Sequence, residues 1–122
     1  MMMTHFQPYE FECKCGKCGL GLKHIRPEAL NKLLIARDMS SVPFFINSAI
    51  RCKEHNQTVG GLIDSAHLSG NAFDIRTNDD YERFIIVRAL ITAGFRRIGI
   101  YKTFVHADDD HTKPSTVMWG KL

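Results

Sequence analysis

Two histidines and an aspartate in this 122-residue chain have the ligand chemistry of a hydrolytic metal centre: His67, then Asp74 seven positions later, then His106. Imidazole nitrogen and carboxylate oxygen suit zinc, and three protein ligands with an open fourth position describe a catalytic site, whereas structural sites are closed by four. Between the first two runs Leu68-Ser69-Gly70-Asn71-Ala72-Phe73, in which Gly70 permits a sharp turn and the small Ala72 leaves room beside a metal. A His and an Asp at this spacing also occur together by chance, so spacing alone leaves both a metal site and an ordinary surface or core pair open. A second set of potential ligands is sulfur: Cys13, Cys15 and Cys18 crowd into Cys13-Lys14-Cys15-Gly16-Lys17-Cys18, and the fourth cysteine is Cys52. These four meet the ligand count of a closed tetrahedral site if the fold brings Cys52 close; a bridged pair and plain reduced thiols are the alternatives, and C-x-C-x2-C is not a standard zinc-knuckle pair.

Elements must hold these groups in place. Ala72-Phe73-Asp74-Ile75-Arg76 alternates in character and predicts a strand with Phe73 and Asp74 on opposite faces. Ile98-Gly99-Ile100-Tyr101 and Phe104-Val105-His106-Ala107, joined by Lys102-Thr103, predict a hairpin with His106 in its second strand. A buried strand is expected over Phe44–Ser48 and a last one at Val117-Met118-Trp119. Helices are expected from Pro27 to Arg37, with Leu30, Leu33, Leu34 and Arg37 on one side, from Lys53 to Val59, closed by Gly60-Gly61, and from Asp79 to Ala93. The last is capped by Thr77 or Asn78 and stopped by Gly94. Residues 1–22 read as an irregular leader rich in Cys and Gly. The whole is a single α+β domain, residues 1–122, with a small, mainly antiparallel sheet, two or three helices, and the metal site on the sheet.

Composition narrows the classes. The chain is 44% hydrophobic and 24% charged, the ordinary globular range, with a net charge of +3 that falls far short of a nucleic-acid-binding signature. The Cys/Lys run lacks a nearby aromatic stacking set, so no nucleic-acid partner is expected. The first residues show no basic stretch followed by an apolar run, and no apolar segment reaches the ~18–20 residues of a membrane span. The expectation is a protein made in the cytoplasm without a signal peptide; oligomeric state is not legible.

Three ordered blocks make the pattern specific. They are Ser48-Ala49-Ile50-Arg51-Cys52-Lys53-Glu54-His55-Asn56, followed by Val59-Gly60-Gly61; then Ser65-Ala66-His67-Leu68-Ser69-Gly70-Asn71-Ala72-Phe73-Asp74-Ile75; then Phe104-Val105-His106-Ala107-Asp108. From Phe44 to Asp108 the chain resembles the zinc D-alanyl-D-alanine carboxypeptidase family, which includes phage L-alanyl-D-glutamate endolysins and murein endopeptidases. The resemblance implies that His67 and Asp74 occupy the family's S-x-H-x-x-G-x-A-x-D motif as zinc ligands, that His106 is the third, and that Arg51 faces substrate. It implies zinc-dependent hydrolysis of peptides in bacterial cell-wall peptidoglycan, carboxypeptidase or endopeptidase, acting at the cell wall and phage-encoded or carried by a virion.

Two departures matter. Ala49-Ile50 replace the family's Gly-Tyr, removing an aromatic hydroxyl. Many relatives carry the catalytic carboxylate three residues before the third ligand, where this chain has Thr103. Asp108, on the strand face of His106 by the two-residue period, is the expected general base, with Glu54 and Asp64 next in order and a solvated acidic turn, Asp108-Asp109-Asp110, as its bland reading. Arg51 stabilises an oxyanion or grips a substrate carboxylate, or makes only a surface ion pair. Thr103 also favours a second function, a non-catalytic zinc-containing module that binds peptidoglycan.

Overall fold

A computed structural model describes residues 3–122. Pro27, whose fixed φ and missing N–H suit a first turn, opens α1 (Pro27–Met39), which buries Ala29, Leu33, Leu34 and Ala36. Leu30 and Arg37 flank that face half-buried. The short α2 (Lys53–Thr58) is capped by Cys52. The long α3 (Asp80–Ala93) buries Ile85, Ile86, Ala89 and Leu90, the spacing of a single helical face. It packs against α1. Its cap is one residue beyond the expected Thr77 or Asn78: Asp79 accepts from the Glu82 amide at 2.8 Å, while Glu82 accepts from the Asn78 amide at 3.1 Å. Asp79 takes the role because its backbone is extended, at φ −157° and ψ 178°, and its side chain reaches the amide of the third helical residue, Glu82. At the other end Gly94, at φ 115°, occupies backbone that a side chain disfavours.

Five strands form one sheet in the order β1-β2-β4-β3-β5. They are β1 (Ile46–Ser48), β2 (Ala72–Arg76), β3 (Arg97–Tyr101), β4 (Phe104–Asp108) and β5 (Val117–Lys121). The fold is the expected α+β, and the sheet is antiparallel except at one edge, where β5 runs parallel to β3. β1 is shorter than the expected Phe44–Ser48: ahead of Ile46 one backbone bond to β2 remains, the Phe45 carbonyl accepting from the Arg76 amide at 2.9 Å, and the register shifts between Ile46 and Ser48.

The leader is not peripheral. Two short 3-10 turns, Pro8–Phe11 and Leu22–His24, hold it against the domain. Phe6 and Phe11 are buried, and an edge-to-face series runs Phe6, Phe11, Phe73, Phe95 at centroid separations of 5.6, 6.1 and 6.3 Å. The core therefore includes leader residues packed on the back of β2.

Candidate metal centre

Strand alternation sorts the side chains of β2 and β4. Phe73, Ile75, Val105 and Ala107 are fully buried in the core, which turns Asp74, His106 and Asp108 to the other face. Antiparallel register sets Asp74 opposite His106, Gly99 on the far side of His106, and Arg97 opposite Asp108. His67 comes from the preceding loop, whose shape is set by backbone bonds: its carbonyl accepts from Arg51 N at 3.0 Å and Ala66 O accepts from Asn71 N at 3.1 Å. Gly70, at φ 74°, is obligatory there, because a Cβ would stand 2.2 Å from the His24 carbonyl oxygen.

The three expected ligands meet. Asp74 Oδ1 lies 3.2 Å from His67 Nε2 and 2.9 Å from His106 Nδ1. His67 Nδ1 is 2.6 Å from the Ala49 carbonyl, which can only accept, so that nitrogen carries the proton and Nε2 presents a lone pair. Nε2 is buried without a hydrogen-bond partner, despite its closeness to Asp74. An imidazole lone pair facing a carboxylate oxygen in a buried site repels it unless a cation sits between them, which is the arrangement of a metal-ligand set. His106 Nε2 donates to Asp108 Oδ2 at 2.8 Å, leaving Nδ1 on the Asp74 side. Burial pulls the His106 pKa down, but Asp108 and Asp74 outweigh it and raise it to about 8. Burial pushes the Asp74 carboxyl up, and the neighbouring imidazoles, His106 foremost, hold it well below the usual carboxylate range.

A cleft of about 420 Å³ opens onto this triad. Arg51 lines it, and each of its guanidinium nitrogens donates once: Nε to Ser48 Oγ at 3.0 Å, Nη1 to Asn56 Oδ1 at 3.1 Å and Nη2 to Asp74 Oδ2 at 3.2 Å. It is no surface ion pair, its side chain being 13% exposed. Asp108 shares the face of His106, as the strand period predicts, and is buried, not a solvated turn. Its second oxygen accepts from Arg97 Nε at 2.8 Å and from the Asp110 amide at 3.1 Å. Glu54 and Asp64 do not line the cleft, and neither does Thr103.

Sequence reading missed Arg97, Tyr101 and Lys113, all of which line the cleft, and placed Trp119 only as part of a last strand. Trp119 is a groove residue: its ring lies 5.7 Å from that of His106, under the Arg97 guanidinium at 5.0 Å, with Nε1 donating to Tyr101 Oη at 2.8 Å. His5, His24, His55 and His111 stay outside the cleft.

A model of the peptidase M15 family matches residues 4–108, a span that contains His67, Asp74, His106 and both arginine-bearing segments of the cleft. The chain belongs to the peptidase M15 family. The match begins in the leader, so the Cys-rich segment is part of the M15 domain and not an addition to it. Among solved structures the M15 chain is similar to the Serratia marcescens L-Ala D-Glu endopeptidase ChiX, at 20% identity and a TM-score of 0.50, covering 58% of this chain. It spans 62% of the length of ChiX, a likeness of fold. No curated protein matches it in sequence. No helix of this M15-family chain, among the described residues, is long and apolar enough to cross a membrane.

Proposed function

We propose that this peptidase holds one zinc ion through His67, Asp74 and His106 and hydrolyses peptide bonds in bacterial cell-wall peptidoglycan. The observation that carries the reading is the buried, unpartnered His67 Nε2 facing Asp74 Oδ1 in a cleft of a peptidase-family domain. The substrate class is supported by the ordered sequence blocks and by the printed activity of ChiX, an L-Ala D-Glu endopeptidase. Bound zinc would lower the pKa of water and polarise the scissile carbonyl.

The chain's own residues do the rest. Asp108 holds the Nε2–H of His106, so that the proton given up on metal binding is the one on Nδ1, the nitrogen that faces Asp74. It is also the one carboxylate lining the cleft besides Asp74, and so is the proposed acceptor of the proton from the attacking water. To accept it, Asp108 must give up one of its bonds to His106, Arg97 or the Asp110 amide. Arg51, with each guanidinium nitrogen donating once, acts as a fixed positive charge that orients Asp74 and favours an oxyanion. Carboxypeptidase and endopeptidase readings share this machinery.

The test is digestion of purified muropeptides with and without a chelator, the products being identified by mass. Chelator-sensitive loss of a terminal D-alanine gives a carboxypeptidase, and cleavage after L-alanine an endopeptidase. Intact muropeptides from zinc-loaded protein would leave the non-catalytic binding module.

A further inference from the structure

The four cysteines have no part in the peptidase chemistry, yet the fold gathers them. Cys52, at the N-terminus of α2, comes to the leader so that the sulfurs of Cys13, Cys15, Cys18 and Cys52 all lie within 4.8 Å of one another. Cys13 and Cys52 are 3.9 Å apart. A tetrahedron with metal–sulfur bonds of about 2.3 Å has edges near 3.8 Å. A disulfide needs sulfurs at about 2.05 Å, so this pair stands at the metal spacing.

Backbone amides give a second, independent observation, because every sulfur receives one. Cys13 Sγ accepts from Cys52 N at 3.4 Å, Cys52 Sγ from His55 N at 3.3 Å, and Cys18 Sγ from Leu20 N at 3.5 Å. Cys15 Sγ takes two, from Lys17 N at 3.4 Å and Cys18 N at 3.3 Å. N–H dipoles aimed at sulfur favour thiolate over thiol, and thiolate is the form that binds metal. Two glycines make this possible. Gly16 and Gly19, directly after Cys15 and Cys18, sit at φ 75° and 80°, swinging the next amides toward those sulfurs. A Cβ at either would meet nothing within 4 Å, so glycine is there for its backbone angle and not for space.

We propose that Cys13, Cys15, Cys18 and Cys52 form a closed tetrathiolate site for a second, structural zinc ion. Binding forms four zinc–sulfur bonds and releases the remaining thiol protons to solvent, with no change of oxidation state. The site fastens the leader to the segment that carries Arg51 and Asn56, and so steadies the side of the cleft from which Arg51 reaches Asp74.

The full chain, purified under reducing conditions with zinc, should carry two zinc ions, and the His106→Ala variant one. X-ray absorption of that variant should show sulfur ligation alone. Cys18 is exposed, so Cys18→Ser should fold and lose the sulfur-bound zinc while retaining the nitrogen- and oxygen-bound one. Zinc-saturated His106→Ala with no metal and four thiols freely reactive toward a thiol reagent would overturn the proposal. So would a Cys13–Cys52 bridge found by mass in protein never exposed to oxidant, or iron at the sulfurs. If Cys18→Ser does not fold, stoichiometry and ligation of His106→Ala still decide. Muropeptide cleavage enters none of these readouts, so failure of the peptidase reading would not be mistaken for failure of this one.

Discussion

At the scale of single residues, Asp108 carries the sharpest expectation. Asp108→Asn keeps the shape of the carboxylate but cannot take a proton, and muropeptide cleavage should fall by roughly 10²–10⁴-fold, the usual contribution of a positioned base, with the cleft's zinc retained. Near-normal turnover with zinc in place would remove Asp108 from the chemistry. His106→Ala should instead lose the cleft's zinc and activity together, as read by metal analysis beside the same assay. The grouping of His67, Asp74 and His106 was legible because residue types and motif agree on it. Arg97 was legible in principle: a hairpin turning at Lys102-Thr103 pairs residues in fixed register, and counting back from the turn sets Arg97 against Asp108. Tyr101 and Trp119 meet through the pairing of β3 with β5, which no local pattern announces. Convergence of Cys52 on the leader likewise depends on the tertiary fold and had to stay an open alternative.

At the scale of elements, β2 ran over its expected residues because alternation and flanking turns agree, whereas the cap of α3 was misplaced by one among consecutive capping-type residues. Asp79→Ala should lower unfolding stability by about 1 kcal/mol, measured by denaturant titration, with turnover unchanged because the cap is remote from the cleft. Gly70→Ala strikes nearer. Its Cβ would collide with the His24 backbone and the residue would sit at φ 74°, so the loop must move and carry His67 with it. Weakened metal retention, beyond any loss of stability, is the expected result; full zinc occupancy in a folded Gly70→Ala would show that the loop repacks without disturbing the ligand. The parallel pairing of β5 was beyond sequence reading. It depends on Thr116 at φ 63°, whose amide and that of Val117 both donate to the Arg96 carbonyl at 2.8 and 3.1 Å, and threonine gives no hint of positive φ.

At the scale of the whole molecule, stability rests on the core and, in the proposed reading, on two zinc ions besides. Phe11→Ala removes a fully buried ring that touches Phe6 and Phe73, and a loss of about 3–5 kcal/mol is expected against a total of roughly 5–15 for a domain of this kind. Calorimetry of Phe11→Ala checks this, and an unchanged melting temperature would mean that the leader is a passive cover. Ligands that bind only the folded state raise its stability by mass action, about 2.7 kcal/mol at a hundred times Kd, so chelation should lower the melting temperature and zinc should restore it. The run of phenylalanines from the leader to β2 also bears on the order of assembly. Hairpin β3–β4 closes a very short loop, whereas Phe11 must find Phe73 across most of α1, α2 and the His67 loop, a closure that costs far more chain entropy. Refolding should therefore form the hairpin early and seat the leader late, so that the strand bearing Asp74 is paired along its edges before its underside is sealed.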